Sequence, residues 1–278
     1  MLPMVAIPIL SPLLMLVSEL VPPPSFQRWL VAILINSVLG AIAWVAPQKL
    51  LTPAGYLHAW VLGLLIWATL GWRGYLVVMV YFLVGSAVTR VGLAQKEAAG
   101  IAEKRSGARG PENVWGSALA GSFCALGVMA CLLRLPNNPA ATGLALLLQL
   151  GYVASFSTKL ADTCASEVGK AYGQRTFLIT TLQPVARGTE GAISLEGTLA
   201  GVVASVAIAL VGWAVGLISL IGVAVSMIAA FIATNLESLI GATLQTRFSW
   251  LTNEWVNVIN TFTGAIVAIL IGLLLKAA

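Results

Sequence analysis

The sequence predicts an all-α, polytopic integral membrane helical bundle of about nine transmembrane helices, with about eight as the lower count. Two observations carry this expectation. The 278-residue chain is 59% hydrophobic, with a mean hydropathy of +0.95, which is more apolar than an ordinary soluble domain. The apolar residues also come in repeated runs of about 18 or more, the length a helix needs to cross a bilayer. These runs are continuous instead of alternating, which argues against a β-barrel. The whole of 1–278 reads as one transmembrane domain.

The expected spans lie at roughly 1–21, 28–46, 55–71, 73–91, 114–134, 141–159, 192–215, 218–236 and 256–276. The first has no basic leader and no small-residue cleavage site, so it reads as a retained span, kinked by Pro3, Pro8 and Pro12. The third and fourth are joined only by a tight turn at Gly71-Trp-Arg-Gly74. Between spans, polar loops are expected at about 92–113, 160–191 and 237–255. The first two carry seven of the fifteen Lys and Arg, which puts both on the cytoplasmic side, or its equivalent in an organelle. Counting back from them places the amino terminus on that side too. Gly116-Ser-Ala-Leu-Ala-Gly121 and Gly197-Thr-Leu-Ala-Gly201 echo each other. Small residues at helical spacing let helices approach closely, and shared packing explains the echo.

The formal charge of +5 and pI of about 9.3 fit loops beside anionic headgroups. No basic run is interleaved with aromatics, so nucleic acid is not an expected partner. Cys124, Cys131 and Cys164 have neither disulfide-framework nor zinc spacing. His58, the one histidine, reads as a packing or interfacial residue.

Charged residues are only 9% of the chain, yet four fall within Lys159–Lys170, including Asp162, the one aspartate. Ionisable residues at the edge of a span mark functional sites by default. On a helix Asp162, Ser166 and Lys170 share a face, Lys159 and Thr163 border it, and Glu167 lies one step round. Asp162 and Glu167 supply hard oxygen ligands for magnesium, and Lys159 or Lys170 supplies point charges for phosphate. Ion pairing that solvates a helix end is the alternative reading of the same face.

Downstream, Arg187-Gly-Thr-Glu-Gly opens a span. Gly188 permits close backbone approach there, and free amides at a helix start bind anions. Arg187 suits a bidentate phosphate contact, Glu190 a metal, and Ser194 a phosphate hydrogen bond. Gly197 and Gly201 read as packing residues. Asn235, Glu237 and Ser238 end a later apolar run, with Glu237 a further candidate ligand; a helix cap is the alternative. Asn253, Asn257 and Asn260 recur at helical spacing; Asn253 and Asn257 read as site candidates and Asn260 as a helix-joining amide. In the loop 96–116, Lys104, Arg105, Arg109 and Asn113 suit a polyphosphate, although a purely topogenic loop explains the charges as well.

Taken together, Gly100-Ile-Ala-Glu-Lys-Arg, Arg109-Gly-Pro, Ser155-Phe-Ser-Thr-Lys-Leu-Ala-Asp-Thr, Ser166-Glu-Val-Gly-Lys-Ala-Tyr-Gly, Arg187-Gly-Thr-Glu-Gly-Ala-Ile-Ser-Leu-Glu-Gly-Thr, Asn235-Leu-Glu-Ser and Val256-Asn-Val-Ile-Asn resemble the TMEM19/DUF92 family of membrane proteins. The closest branch is that of the plant and cyanobacterial phytyl-phosphate kinases of tocopherol biosynthesis. The resemblance implies phosphorylation of an isoprenoid (phytyl) monophosphate to the diphosphate by a nucleoside triphosphate, CTP foremost, in a cyanobacterial or chloroplast membrane. The residues by themselves imply only a membrane enzyme that handles a phosphorylated ligand; Mg2+ is the expected cofactor. Two rival classes are a lipid-phosphate transporter or flippase, working through Asn257 and Asn260 at depth, and a CTP-dependent cytidylyltransferase that releases pyrophosphate.

Overall fold

The computed structural model describes residues 26–46, 49–245 and 247–275. The span expected at 1–21 lies outside them. The elements are α1 (Phe26–Val45), α2 (Pro53–Thr89), a short α3 (Leu93–Ala98), a 3-10 turn (Lys104–Gly107), α4 (Pro111–Arg134), α5 (Pro139–Tyr172), β1 (Thr176–Leu178), β2 (Ala192–Ser194), α6 (Leu195–Ala214), α7 (Leu220–Ile240) continued by a π-turn to Gln245, and α8 (Asn253–Leu275). Seven of the helices among the described residues are long and apolar enough to cross a membrane.

One of the seven is two crossings. α2 breaks at Gly71, whose φ of 65° and ψ of −160° are not helical and fall in a region open essentially to glycine alone. A continuous helix of 37 residues would hold its ends about 55 Å apart. Instead Arg90, just past its end, donates to the carbonyl of Lys49, just before its start, at 3.2 Å. The rings of Trp67 and Tyr75 stand 5.2 Å apart across the break. The two limbs are therefore antiparallel, and the turn anticipated at Gly71–Gly74 is present. Backbone groups freed by such a break must find partners inside the membrane. Tyr152 donates to the Gly74 carbonyl at 2.7 Å, and Arg28 reaches the Ala68 carbonyl at 3.5 Å.

Helix starts are written locally. Thr52, Asn138, Ser194 and Ser219 each accept a backbone N–H of the first turn, the role such side chains fill best. Pro53, Pro111 and Pro139 stand at first helical positions, where no N–H is needed.

α5 is the central helix and packs against α2, α4, α6, α7 and α8, while α1 packs on α2. Small residues make these contacts close. A Cβ on Gly197 or Gly201 of α6 would sit 2.5 Å from the Ala165 carbonyl oxygen or 3.0 Å from that of Ala161 on α5. A Cβ on Gly116 of α4 would come within 3.2 Å of the Glu254 carbonyl oxygen of α8. Both glycine echoes are thus packing faces, as expected. His58 is likewise a packing residue, its Nδ1 accepting from the Trp115 indole at 2.9 Å. The three cysteines are free.

The loop expected at about 160–191 starts later than anticipated, because α5 remains helical to Tyr172. Its charges have partners inside the protein (below), so they do not end the helix. With 34 residues, α5 is about 51 Å long against a hydrocarbon core of about 30 Å. The polar 159–170 stretch occupies the end that reaches the interface. β1 pairs antiparallel with β2, Thr176 opposite Ser194, and ties this end of α5 to the start of α6.

The ends of the bundle differ sharply in charge. Arg28, Arg73 and Arg134 lie at one end. Lys49, Arg90, Lys96, Arg105, Arg109, Lys170, Arg175, Arg187 and Arg247 lie at the other, with every acidic residue among the described residues. By the positive-inside rule, the second end faces the cytoplasmic or equivalent side.

Candidate functional site at the charged membrane face

A cavity of about 510 Å³ opens at the charged end of the bundle. Its walls come from the 100–117 segment, the outer half of α5, the 188–194 loop, α6, the end of α7 and the start of α8. Among the residues whose side chains are described, every one proposed from the sequence lines it except Arg187. Lys104 falls in the 3-10 turn, its side chain outside the described residues.

At its centre stands Lys159, buried on α5. Its ammonium donates to Asp162 Oδ2 at 2.5 Å and to Asn257 Oδ1 at 2.7 Å. An ammonium has three donors, so two are engaged among the described residues. Glu237 of α7 and Glu190 line the same cavity as Asp162, close enough to add negative charge beside it. Residues from 159 to 257 thus converge on one charged cluster, brought together by α5, α7 and α8.

Glu167 sits one turn and a half further along α5 and is differently employed. Its Oε2 forms an ion pair with Lys96 of α3, and both residues are almost fully buried (2% and 1% exposed). Lys96 also donates to the Thr89 carbonyl at 2.8 Å. This pair fastens the 90–110 segment onto α5. Glu167 Oε1 has no hydrogen bond among the described residues and faces Lys170 Nζ at 3.5 Å. Lys170 also approaches Glu103 at 3.8 Å, so it belongs to the rim.

The family pattern of the integral membrane protein DUF92 matches residues 33–265, which take in every helix around the cavity. The chain belongs to the DUF92 family. Over 241 residues it is 67% identical to an uncharacterized membrane protein of Synechocystis sp., covering 87% of this chain and 90% of that one. It is 48% identical over 222 residues to the chloroplastic protein VTE6 of Arabidopsis thaliana, covering 79% of this chain and 65% of that protein. A membrane protein of Methanocaldococcus jannaschii is 32% identical over 245 residues, 88% of this chain and 94% of that one. No solved structure matches the chain.

The remaining residues of this DUF92 cavity fall into two groups. Some are held by structural bonds. Asn113 accepts from Gly110 N at 3.0 Å and from Arg105 at 3.0 Å, forming part of the start of α4. Arg105 also pairs with Glu112. Ser194 caps α6 by accepting from Gly197 N at 3.1 Å. Asn235 donates to the Phe231 carbonyl at 2.7 Å. Gly188 has a φ of 83°, and a Cβ there would meet Ile101 at 2.6 Å, so this turn needs glycine. Others present polar groups to the cavity: Thr163, Ser166, Ser238 and Asn253, with Ser166 and Asn253 exposed. Arg109 donates to the Tyr81 hydroxyl at 2.5 Å and lies 5.3 Å from that ring. Its backbone is hydrogen-bonded to Leu50 and Thr52, which fixes the guanidinium at the cavity wall.

Arg187 stands apart. It donates to the Ala171 carbonyl at 3.1 Å and lines a shallow depression behind the 173–176 turn. There it satisfies a carbonyl near the end of α5. Asn260, expected to join helices, is 2% exposed with neither amide atom hydrogen-bonded among the described residues. Reading the sequence did not find Lys96 or Tyr81. Lys96 lies 71 positions from Glu167, beyond any helical spacing. Lys170, three residues from Glu167, offered a nearer partner for the same charge and hid the distant one.

Proposed function

We propose that this protein is a membrane kinase that phosphorylates an isoprenoid monophosphate, phytyl monophosphate foremost, to the diphosphate, with a nucleoside triphosphate (CTP first) as donor and Mg2+ as metal. The tocopherol-precursor route of the plant branch is the corresponding physiological setting. One observation carries the reading: a charged cavity at the membrane face holds Lys159 between Asp162 and Asn257, with Glu237 lining the same cavity. Phosphoryl transfer needs mainly positioning and charge neutralisation, and this cluster offers both signs of charge in fixed positions.

The donor set fits magnesium, which is commonly held by one or two carboxylates together with substrate phosphates. Asp162 and Glu237 are the residues that would hold it. No set of three His, Cys, Asp or Glu side chains is preassembled as a metal cage among the described residues, and phosphate oxygens would complete the sphere. Bound there, the ion would neutralise charge on the transferring phosphoryl group. Glu167 is committed to Lys96 and supports the site by holding the 90–110 segment.

Lys159 offers its third N–H to a phosphate oxygen, and Arg109 offers the guanidinium donors that Tyr81 leaves free. An oxygen of the acceptor monophosphate attacks the γ-phosphorus, the bond to the β-phosphate oxygen breaks, and the nucleoside diphosphate departs. The acceptor's second ionisation lies near pH 6, so no general base is needed. A site whose acids and bases are Asp, Glu, Lys and Arg suits that chemistry.

Product analysis tests the reading. Purified protein is incubated with phytyl monophosphate, Mg2+ and CTP labelled in either the α or the γ phosphate. The expected result is γ label in a lipid diphosphate. The α label in lipid, with pyrophosphate released, identifies a cytidylyltransferase. No transfer from folded protein leaves the transporter.

A further inference from the structure

The cavity does not end at the charged cluster. It continues between α6 and α7 to Val202 and Ser205 on one side and Phe231 and Thr234 on the other, with Ala161 of α5 as its floor. Ser205 is ten residues inside the start of α6 and Phe231 nine residues before the end of α7. At 1.5 Å per residue each lies about 15 Å along its helix, close to half of a hydrocarbon core of about 30 Å. One continuous space therefore runs from the charged cluster, where Glu237 lies three residues before the end of α7, to Phe231 six residues deeper on the same helix. Close packing of α6 on α5 through Gly197 and Gly201 closes the α5 side. On the α7 side Phe231 is 50% exposed, so the deep end borders lipid.

We propose that this α6–α7 groove is a lateral entry and tail-binding site for a single-chain lipid monophosphate, whose phosphate reaches Lys159 while its chain lies between Val202 and Phe231. An amphipathic ligand fits both ends at once: a soluble phosphate leaves the deep end empty, and a neutral lipid brings no oxyanion to the third N–H of Lys159. Entry between the helices spares the chain a passage through water. The isoprenoid identity of the chain rests on the kinase reading; the groove itself does not.

The test is photolabelling of the full-length protein in nanodiscs with an isoprenoid monophosphate that carries a diazirine in its tail, with adducts mapped by mass spectrometry. Adducts are expected around Val202 and Phe231. Excess phytyl monophosphate should remove them, and phytol, which has the tail without the phosphate, should not. Adducts elsewhere, no adducts at all, or equal competition by phytol would overturn the proposal. Phosphoryl transfer is measured on the same preparation. Groove adducts without transfer would sink the kinase and keep the groove; transfer with adducts confined to other surfaces would do the reverse.

Discussion

Lys96 and Glu167 show how opposite charges can sit paired inside this bundle. Two opposite charges buried together offset each other's desolvation, whereas one alone cannot. Lys96→Met should therefore lower stability by about 3–5 kcal/mol, the cost of leaving a buried charge unpaired. The double replacement Lys96→Met with Glu167→Leu should recover most of that loss. Thermal unfolding in detergent reads both. Activity in the double variant adds a second result: retained turnover assigns Glu167 to support, and lost turnover with a recovered melting temperature returns it to the metal site. At this scale the sequence showed which segments carry the polar residues that line the cavity. Asp162 and Lys159 were legible because they are three positions apart. The approach of Glu237 to Asp162, and the contact of Lys159 with Asn257 98 positions away, depend on how α5, α7 and α8 pack, which no local spacing reveals. Arg187 lies outside the cavity for a related reason, since the glycine-rich loop that suggested anion binding turns its guanidinium back onto α5.

Among the elements, the α2 hairpin depends most on a single position. Gly71 has a φ of 65°, and a Cβ there would lie 2.8 Å from the Arg28 guanidinium. Gly71→Ala should cost about 1–3 kcal/mol from backbone strain alone. Gly40→Ala, where a Cβ would meet nothing within 4 Å, should cost little in the same melting assay. A comparable loss at both sites would contradict the hairpin assignment. The hairpin was readable in advance because glycine and arginine interrupt an apolar run too long for one crossing. The length of α5 was not readable. Charges usually end a span, yet here Asp162 and Glu167 bond within the protein and the helix continues past them to Tyr172.

For the whole molecule, the governing feature is the separation of charge between its two ends. It fixes orientation, since Lys and Arg are retained on the cytoplasmic side, and it places the cavity at the membrane–water boundary on that side. Cysteine labelling checks this directly. In a background lacking Cys124, Cys131 and Cys164, Ser166→Cys should react with a membrane-impermeant maleimide from the cytoplasmic-equivalent side only. Asn137→Cys, in the turn between α4 and α5, should react only from the opposite side. Reaction of both from one side would refute the topology. The polytopic helical class and the crossings from residue 28 onward were legible because apolar length is a direct physical requirement of the bilayer. The groove between α6 and α7 was not, because a tail pocket is made of ordinary apolar residues distinguished only by how their helices separate.

The most direct test of the central claim is the rate of γ-phosphoryl transfer to phytyl monophosphate by wild-type protein and by Asp162→Asn, in proteoliposomes with Mg2+ and matched amounts of folded protein. The account predicts transfer by the wild type and a loss of at least about 100-fold in the variant, the scale on which removing a transition-state charge contact acts. Near-wild-type transfer by Asp162→Asn would contradict it.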